Sequence, residues 1–309
     1  MKSKPTTLSG QISDMEIRHL RIFKAVVECG GFSAAEVQLN ISRSAISLSM
    51  SDLEQRLGLR LCQRGRAGFS LTAEGSQVYD AVLQLLASME GFRTRVNAIH
   101  AQLKGEFNIG ITDNLVTMHH MRITDALTRL KQQGPEVRIN ISMLPPSEIE
   151  LGVLDGRLHI GVVPDLRTLS GLDYLPLYGE TSQLYCSHNH PMFRQPPQQT
   201  GAISTQDAVV PAYAQTAAIK AQHQRLKASA TATDREGIAF LIMTGCFIGF
   251  LPTHFADRWV SAGKMRPLLT TEMRYVTHYS AISRRGAPAN LILQTYLEEL
   301  IKGKDTATE

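Results

Sequence analysis

The chain has 309 residues, room for two or three domains, and its 43% hydrophobic and 19% charged content with 23 Gly and 13 Pro excludes a disordered, collagen-like or mini-protein class. Four cysteines at 29, 62, 186 and 246 form no C-x-x-C pair, and no stretch approaches the ~18 apolar residues of a bilayer span, so a reducing cytoplasm is expected, with no membrane partner. Net charge is +4 and unevenly spread: through Lys104 there are 13 Lys+Arg against 9 Asp+Glu, beyond it 19 against 19, which suggests a basic module that meets a polyanion and a neutral module with another task.

Residues 1–14 are polar, lack apolar periodicity and read as a flexible tail. From Met15, Ile17, Leu20, Phe23 and Val27 recur at helical spacing until Gly30-Gly31. Ser33 reads as the N-cap of a short second helix ending at Leu39, Asn40-Ile41-Ser42 as a tight turn, and Ser42 as the cap of a third helix. There Ile46, Met50, Leu53 and Leu57 make one buried stripe, and Gly58 ends it. Arg43, Ser44, Ser47, Leu48 and Ser51 share the other face, whose short side chains let a helix approach base edges. This is the layout of a helix-turn-helix reader, although periodicity alone also fits a three-helix bundle with a solvated face. Arginines follow at 56, 60, 64 and 66 without an acid. Leu59 and Leu61, then Phe69 and Leu71, flank a Gly-containing turn, so Arg64 and Arg66 sit at the tip of a two-stranded wing that can reach phosphates.

Leu20-Arg21-Ile22-Phe23, Gly31-Phe32-Ser33-Ala34-Ala35, Ile41 to Ser47, Leu53 to Leu61 and Leu71-Thr72-Ala73-Glu74-Gly75 together resemble the winged helix-turn-helix of LysR-type transcriptional regulators. The resemblance implies that Ser42, Arg43, Ser44, Ser47 and Leu48 face the major groove of operator DNA, and that Arg64 and Arg66 meet its backbone. The chain departs from the family's habit at Glu36, Arg43, Leu48 and Ser49. Arg43 has the chemistry to pair with guanine O6/N7, and Leu48 to touch a thymine methyl.

Thr72 to Lys104 holds no Pro and permits one helix of up to ~50 Å. Val78, Val82, Leu85, Met89, Phe92, Val96, Ile99 and Leu103 alternate spacings of 4 and 3, the a/d pattern of a self-association seam, and Lys104-Gly105 reads as its stop. The same helix could instead lie on the chain's own second module. A dimer would pair two readers and call for an interrupted palindrome; the family resemblance adds a homotetramer of two dimers, with RNA polymerase as a possible further partner.

Beyond Gly105 short apolar strands alternate with helices, an α/β signature. Strands are expected around Phe107–Ile111, Val137–Met143, Leu158–Val162, Leu184–Ser187, Ala208–Val210, Cys246–Leu251 and Tyr275–Ser283. Helices are expected over Leu115–Lys131, Ser147–Leu154 and Gly237–Gly245, with capping boxes at Ser147/Glu150 and Thr233/Glu236. Ligands settle beyond the carboxyl ends of such strands. That points to Thr112, Asn114, Ser147, Val163, Tyr213 and Thr233 as contacts for a small-molecule effector, while the caps among them could equally be plain caps. Asp113 could meet an amine, repel a carboxylate or sit in solvent.

Leu154 to Gly161, Gly171 to Leu177, His190-Pro191 and Gly245 to Pro252 extend the resemblance to the family's effector domain, similar in fold to type 2 periplasmic binding proteins. The expected architecture is α/β: a winged helix-turn-helix (15–73), a coiled-coil linker helix (74–104), a two-lobed effector domain (105–163 with 267–303, and 164–266) and a tail (304–309). Enzyme signatures are lacking: Cys186, His188 and His190 have no companion cluster, His119-His120 lack the H-E-x-x-H spacing, and no G-x-S-x-G, P-loop or G-x-G-x-x-G occurs. The expectation is a DNA-binding regulator with neither catalytic residue, metal nor cofactor. An enzyme or solute-binding domain fused to a helical DNA reader is the alternative.

Overall fold

The computed structural model describes residues 11–65, 68–99, 102–113, 115–118 and 122–305. They divide into two compact units, split between Glu90 and Gly91.

The first unit opens with α1 (Asp14–Glu28), α2 (Phe32–Leu39) and α3 (Arg43–Leu57). A reciprocal Ser13–Glu16 capping box starts α1. α2 begins after Gly31 rather than at a Ser33 cap: Gly31 takes φ +148°, a conformation glycine tolerates, and the helix starts two residues earlier than the serine suggested. Ser42 does cap α3, its Oγ accepting from Ala45 N at 3.3 Å, and Gly58 ends it in the left-handed region. Ile46, Met50 and Leu53 are buried against Leu20, Phe23 and Val26, each fully buried side chain being worth ~1.5–3 kcal/mol. β1 (Cys62–Gly65) and β2 (Gly68–Leu71) pair antiparallel as the wing.

α4 spans Ala73–Ile99. Its apolar residues do not make one free seam. Val82 is buried and Val78 and Leu85 half-buried against the core of α1 to α3, because the three short helices need a cover; Met89, Phe92 and Val96 are exposed, Phe92 at 64%. Ile99 ends the helix and Leu103 packs on the core of the second unit. Lys104-Gly105 is not a helix stop: it opens β3 (Lys104–Ile111), and Lys104 Nζ meets Glu136 Oε2 at 2.5 Å.

The second unit continues with α5 (Arg122–Gln133), β4 (Glu136–Met143), α6 (Pro146–Leu154), β5 (Ile160–Pro164), β6 (Leu172–Ser187), α7 (Pro191–Arg194), β7 (Asp207–Pro211), α8 (Ala217–His223), β8 (Lys227–Ala232), α9 (Arg235–Met243), β9 (Ile248–Pro252), α10 (Thr253–Ser261), β10 (Met265–Leu268), β11 (Arg274–Arg284) and α11 (Leu291–Asp305). Among the described residues one sheet runs β4-β3-β5-β11-β6-β9-β7-β8, with β10 also on β6. β3, β4 and β5 are parallel, as are β7, β8 and β9. β6 and β11 lie antiparallel along most of their length, with a register irregularity between Tyr279 and Ser280 opposite Pro176, and carry the chain between the two halves.

Cores form on both sides of these crossovers. Phe107, Ile109, Leu130, Ile160, Leu177 and Tyr296 pack in the first lobe, as does a smaller cluster of Ile149, Leu172 and Ile282. Leu184, Ile248 and Phe250, and separately Val209, Ile238 and Phe255, pack in the second. Residues 164–178 therefore sit with the first lobe, and Leu268 and Met273 with the second, so the lobes part in the middle of β6 and β11 rather than at 164 and 267.

Other sequence expectations shift. The helix expected from Leu115 is a 3-10 turn over Leu115–Thr117 followed by α5. α6 is preceded by Pro145 with no side-chain cap; Glu150 is buried and paired with Arg167, 3.1 Å away, instead of closing a box on Ser147. Asp234, not Thr233, caps α9, its carboxylate accepting from Gly237 N at 2.7 Å.

Candidate functional site

The candidate DNA interface is the start of α3. Asn40, at φ +52°, turns the chain sharply, which brings the α3 N-terminus out beside α2. Ser42 Oγ and Ser44 Oγ lie 3.0 Å apart, and Glu36 Oε1 accepts from Arg43 N at 3.2 Å, a contact that sequence reading missed. Arg43, Ser44 and Leu48 are exposed and Ser47 is half-buried. Glu54 ties α3 to the wing by accepting from Leu61 N at 2.7 Å and Cys62 N at 3.2 Å, while Thr72 N donates to Leu61 O at 3.0 Å. β1 carries Arg64; Arg66 lies outside the described residues. Arg56 is not a free member of the basic run, since its Nε donates to Glu16 Oε1 at 2.6 Å. The Ser13 backbone N–H and then Arg56 hold the Glu16 carboxyl down at about 2.

In the second unit a cavity of about 310 Å³ opens between the lobes. Thr112, Tyr213 and Thr233, three of the six expected effector contacts, line it together. Val163 is instead buried core, Ser147 is exposed and off the lining, and Asn114 lies outside the described residues. The lining adds Asp113, Ser182, Asp234, Arg235, Phe250, Tyr275, Thr277 and Tyr279, with Met143, Leu144, Pro145 and Pro146 as an apolar wall. Tyr275, Thr277 and Tyr279 alternate along β11 and so share a face, a period-two signal present in the sequence.

The back of the cavity is a buried polar network. Arg235 Nη1 donates to Asp113 Oδ1 at 2.7 Å and Nη2 to Glu180 Oε2 at 2.9 Å and to the Tyr279 hydroxyl, while Arg235 N donates to Asp113 Oδ2 at 3.0 Å. Asp113, still partly exposed to the cavity, is thus already the partner of Arg235. Glu180 Oε1 accepts from His254 Nε2 at 3.0 Å, and His254 Nδ1 lies 2.7 Å from Thr117 Oγ1. Burial alone would raise the Glu180 carboxyl; the His254 hydrogen bond and the Arg235 charge outweigh it and leave the group below its ordinary value. Burial likewise pushes the Tyr213 phenol to about 12, so at neutral pH it faces the cavity as a neutral hydroxyl. Hydroxyl, imidazole and carboxylate in line is an order that nucleophilic catalysis uses. Thr117 is not on the cavity lining, however, so the line serves as a brace. Cys186 is buried and His190 Nδ1 accepts from Met192 N, so this run is tied into the fold; His119 and His120 lie outside the described residues.

Two family models match: "Bacterial regulatory helix-turn-helix protein, lysR family" over residues 17–76 and "LysR substrate binding domain" over 100–304. The chain is 58% identical over 299 residues to the HTH-type transcriptional activator BauR of Pseudomonas aeruginosa, covering 96% of this chain and 98% of that protein. It is 27% identical to the HTH-type transcriptional regulator CrgA of Neisseria meningitidis serogroup C, over 92% and 95%. Among solved structures it resembles CbnR, a LysR family transcriptional regulator, with TM-score 0.68 and 18% identity over 93% of this chain and 99% of that one. CbnR complexed with its target DNA matches with TM-score 0.67 and 19% identity over the same shares.

Proposed function

The chain belongs to the LysR family of bacterial transcriptional regulators, and from that premise we propose how its residues divide the work. It is a DNA-binding regulator with an effector-binding domain and not an enzyme. Ser42, Arg43, Ser44, Ser47 and Leu48 enter the major groove; Arg43 reads guanine, and Arg64 and Arg66 hold the backbone. Two copies joined through the exposed part of α4 read an interrupted palindrome in the cytoplasm, two such dimers form a tetramer, and the protein activates transcription, as the name of its Pseudomonas relative suggests, with RNA polymerase as a further partner. A small molecule in the interlobe cavity, touching Thr112, Tyr213 and Thr233, shifts the arrangement of subunits through its different affinities for the two states.

The observation that carries the reading is the α3 N-terminus, capped by Ser42 and exposing Arg43, Ser44 and Leu48. Its test is selection of binding sites from random duplexes, followed by anisotropy titrations from 50 to 200 mM salt. Affinity should fall by ~10³-fold or more if about six phosphates are contacted. Arg43→Ala should cost ~1–3 kcal/mol on the selected site and little on random duplex. Equal losses on both would make Arg43 a phosphate clamp, and no selected sequence at low salt would remove the DNA-reading proposal.

A further inference from the structure

We propose that Arg235 and His254 form an interlobe clasp, hung on Glu180, that sets the separation of the two lobes. Among the described residues, two side-chain pairs cross the gap. Arg235, first residue of α9 in the second lobe, donates to Asp113, two residues past β3 in the first lobe, at 2.7 Å from Nη1 and 3.0 Å from its backbone N. His254 of α10, also in the second lobe, meets Thr117 of the first at 2.7 Å. Both groups end on one carboxylate: Glu180, only 1% exposed, takes Arg235 on Oε2 and His254 on Oε1. Glu180 stands on β6 and Tyr279, which also meets Arg235 and Glu180, on β11, at the place where the lobes part.

The sharing has a mechanical consequence. Neither pair can open by a hinge motion about β6 and β11 without straining the other, so they release together, and a ligand entering the cavity meets a gap already held at one width. With Asp113, Glu180 and Tyr279 occupying its Nη groups, Arg235 serves as a positioning residue. The inference rests on this geometry and does not depend on the identity, or existence, of an effector.

The first-turn N–H of a helix has no intrahelical acceptor, so protection of the Arg235 amide depends on Asp113 across the gap. The test breaks the other pair and reads this one. In the full-length protein, Thr117→Val should speed hydrogen–deuterium exchange at the Arg235 amide by about fivefold, the loss expected for one net hydrogen bond. Exchange at Val209 in the second-lobe core should stay as in the parent, and Thr117→Ser, which keeps the hydroxyl, should restore the parent rate. His254→Gln, which cannot reach Thr117 in the same way, should reproduce the acceleration from the other side of the gap. An unchanged Arg235 rate in both variants, or equal acceleration at Val209, overturns the clasp: the first would show two independent contacts, the second a general loosening of the lobe.

Discussion

His223, the last residue of α8, packs against the rings of Phe250 and Tyr275, with centroids 4.9 and 5.7 Å away, and among the described residues neither ring nitrogen has a hydrogen-bond partner. Burial among these rings pushes its pKa down from 6.5 to about 4. A histidine depressed in the folded state binds fewer protons folded than unfolded. Its contribution is whole above pH 6.5 and is lost as pH falls towards 4. At 1.36 kcal/mol per pKa unit the loss is about 3 kcal/mol, or ~6–12 °C in Tm for a unit of this size. Calorimetry of the full chain between pH 7.5 and 4.5 should show the second unit's transition sliding down by that amount, and His223→Phe, which keeps an aromatic of similar bulk, should flatten the slide. Phe250 and Tyr275 also line the interlobe cavity, so the cavity should loosen over the same range. Identical slopes for parent and variant would refute the reasoning, because the buried imidazole would then not be what titrates.

Met89→Glu with Phe92→Glu should weaken self-association, lowering the weight-average sedimentation coefficient at a fixed concentration, while the thermal transition of the first unit stays in place, since both side chains are exposed. Leu85→Glu, by contrast, should unfold that unit, because Leu85 packs on the reader's own core. Gly75→Ala should cost ~3 kcal/mol and abolish DNA binding: an added Cβ would lie 2.0 Å from the Leu61 carbonyl oxygen, a backbone atom that cannot swing aside. Urea unfolding followed by circular dichroism measures the first part and anisotropy the second.

The reader was legible because its signals are local. A serine cap, a stripe at spacings of 4, 3 and 4, and a closing glycine lie within seventeen residues, and α3 uses them all. The cavity was legible only in part, because strand exits mark where a ligand could sit but not which side chains cross from the far lobe. Arg235, Glu180 and His254 come from α9, β6 and α10, and in the sequence each looks like an ordinary polar residue. The middle of β6 hid for a related reason: Glu180-Thr181-Ser182-Gln183 is wholly polar, yet Glu180 and Ser182 are buried because polar partners meet them. β8, Lys-Ala-Ser-Ala-Thr-Ala at the sheet edge, alternates only with alanine, a weak strand former whose small side chain gives little signal, although Ala230 and Ala232 pack on the second-lobe core.

The α4 seam shows the limit of periodicity most clearly. Spacings of 4 and 3 require an apolar surface along the helix but do not say whose surface it is. For Val78, Val82 and Leu85 it is the chain's own core, which needs them because α1, α2 and α3 are too short to bury Phe23 and Met50 unaided. Among the seam residues whose side chains are described, that leaves Met89, Phe92 and Val96, about two turns of helix, for any partner. A seam so short cannot hold two copies by hydrophobic area alone at the affinity of a long zipper, so the effector domain must supply further self-association surface if the assembly is to persist at low concentration. The exposed Ile141 on β4, an edge strand of the sheet, is where that surface should be sought, and Ile141→Lys should weaken assembly further in the Met89→Glu, Phe92→Glu background.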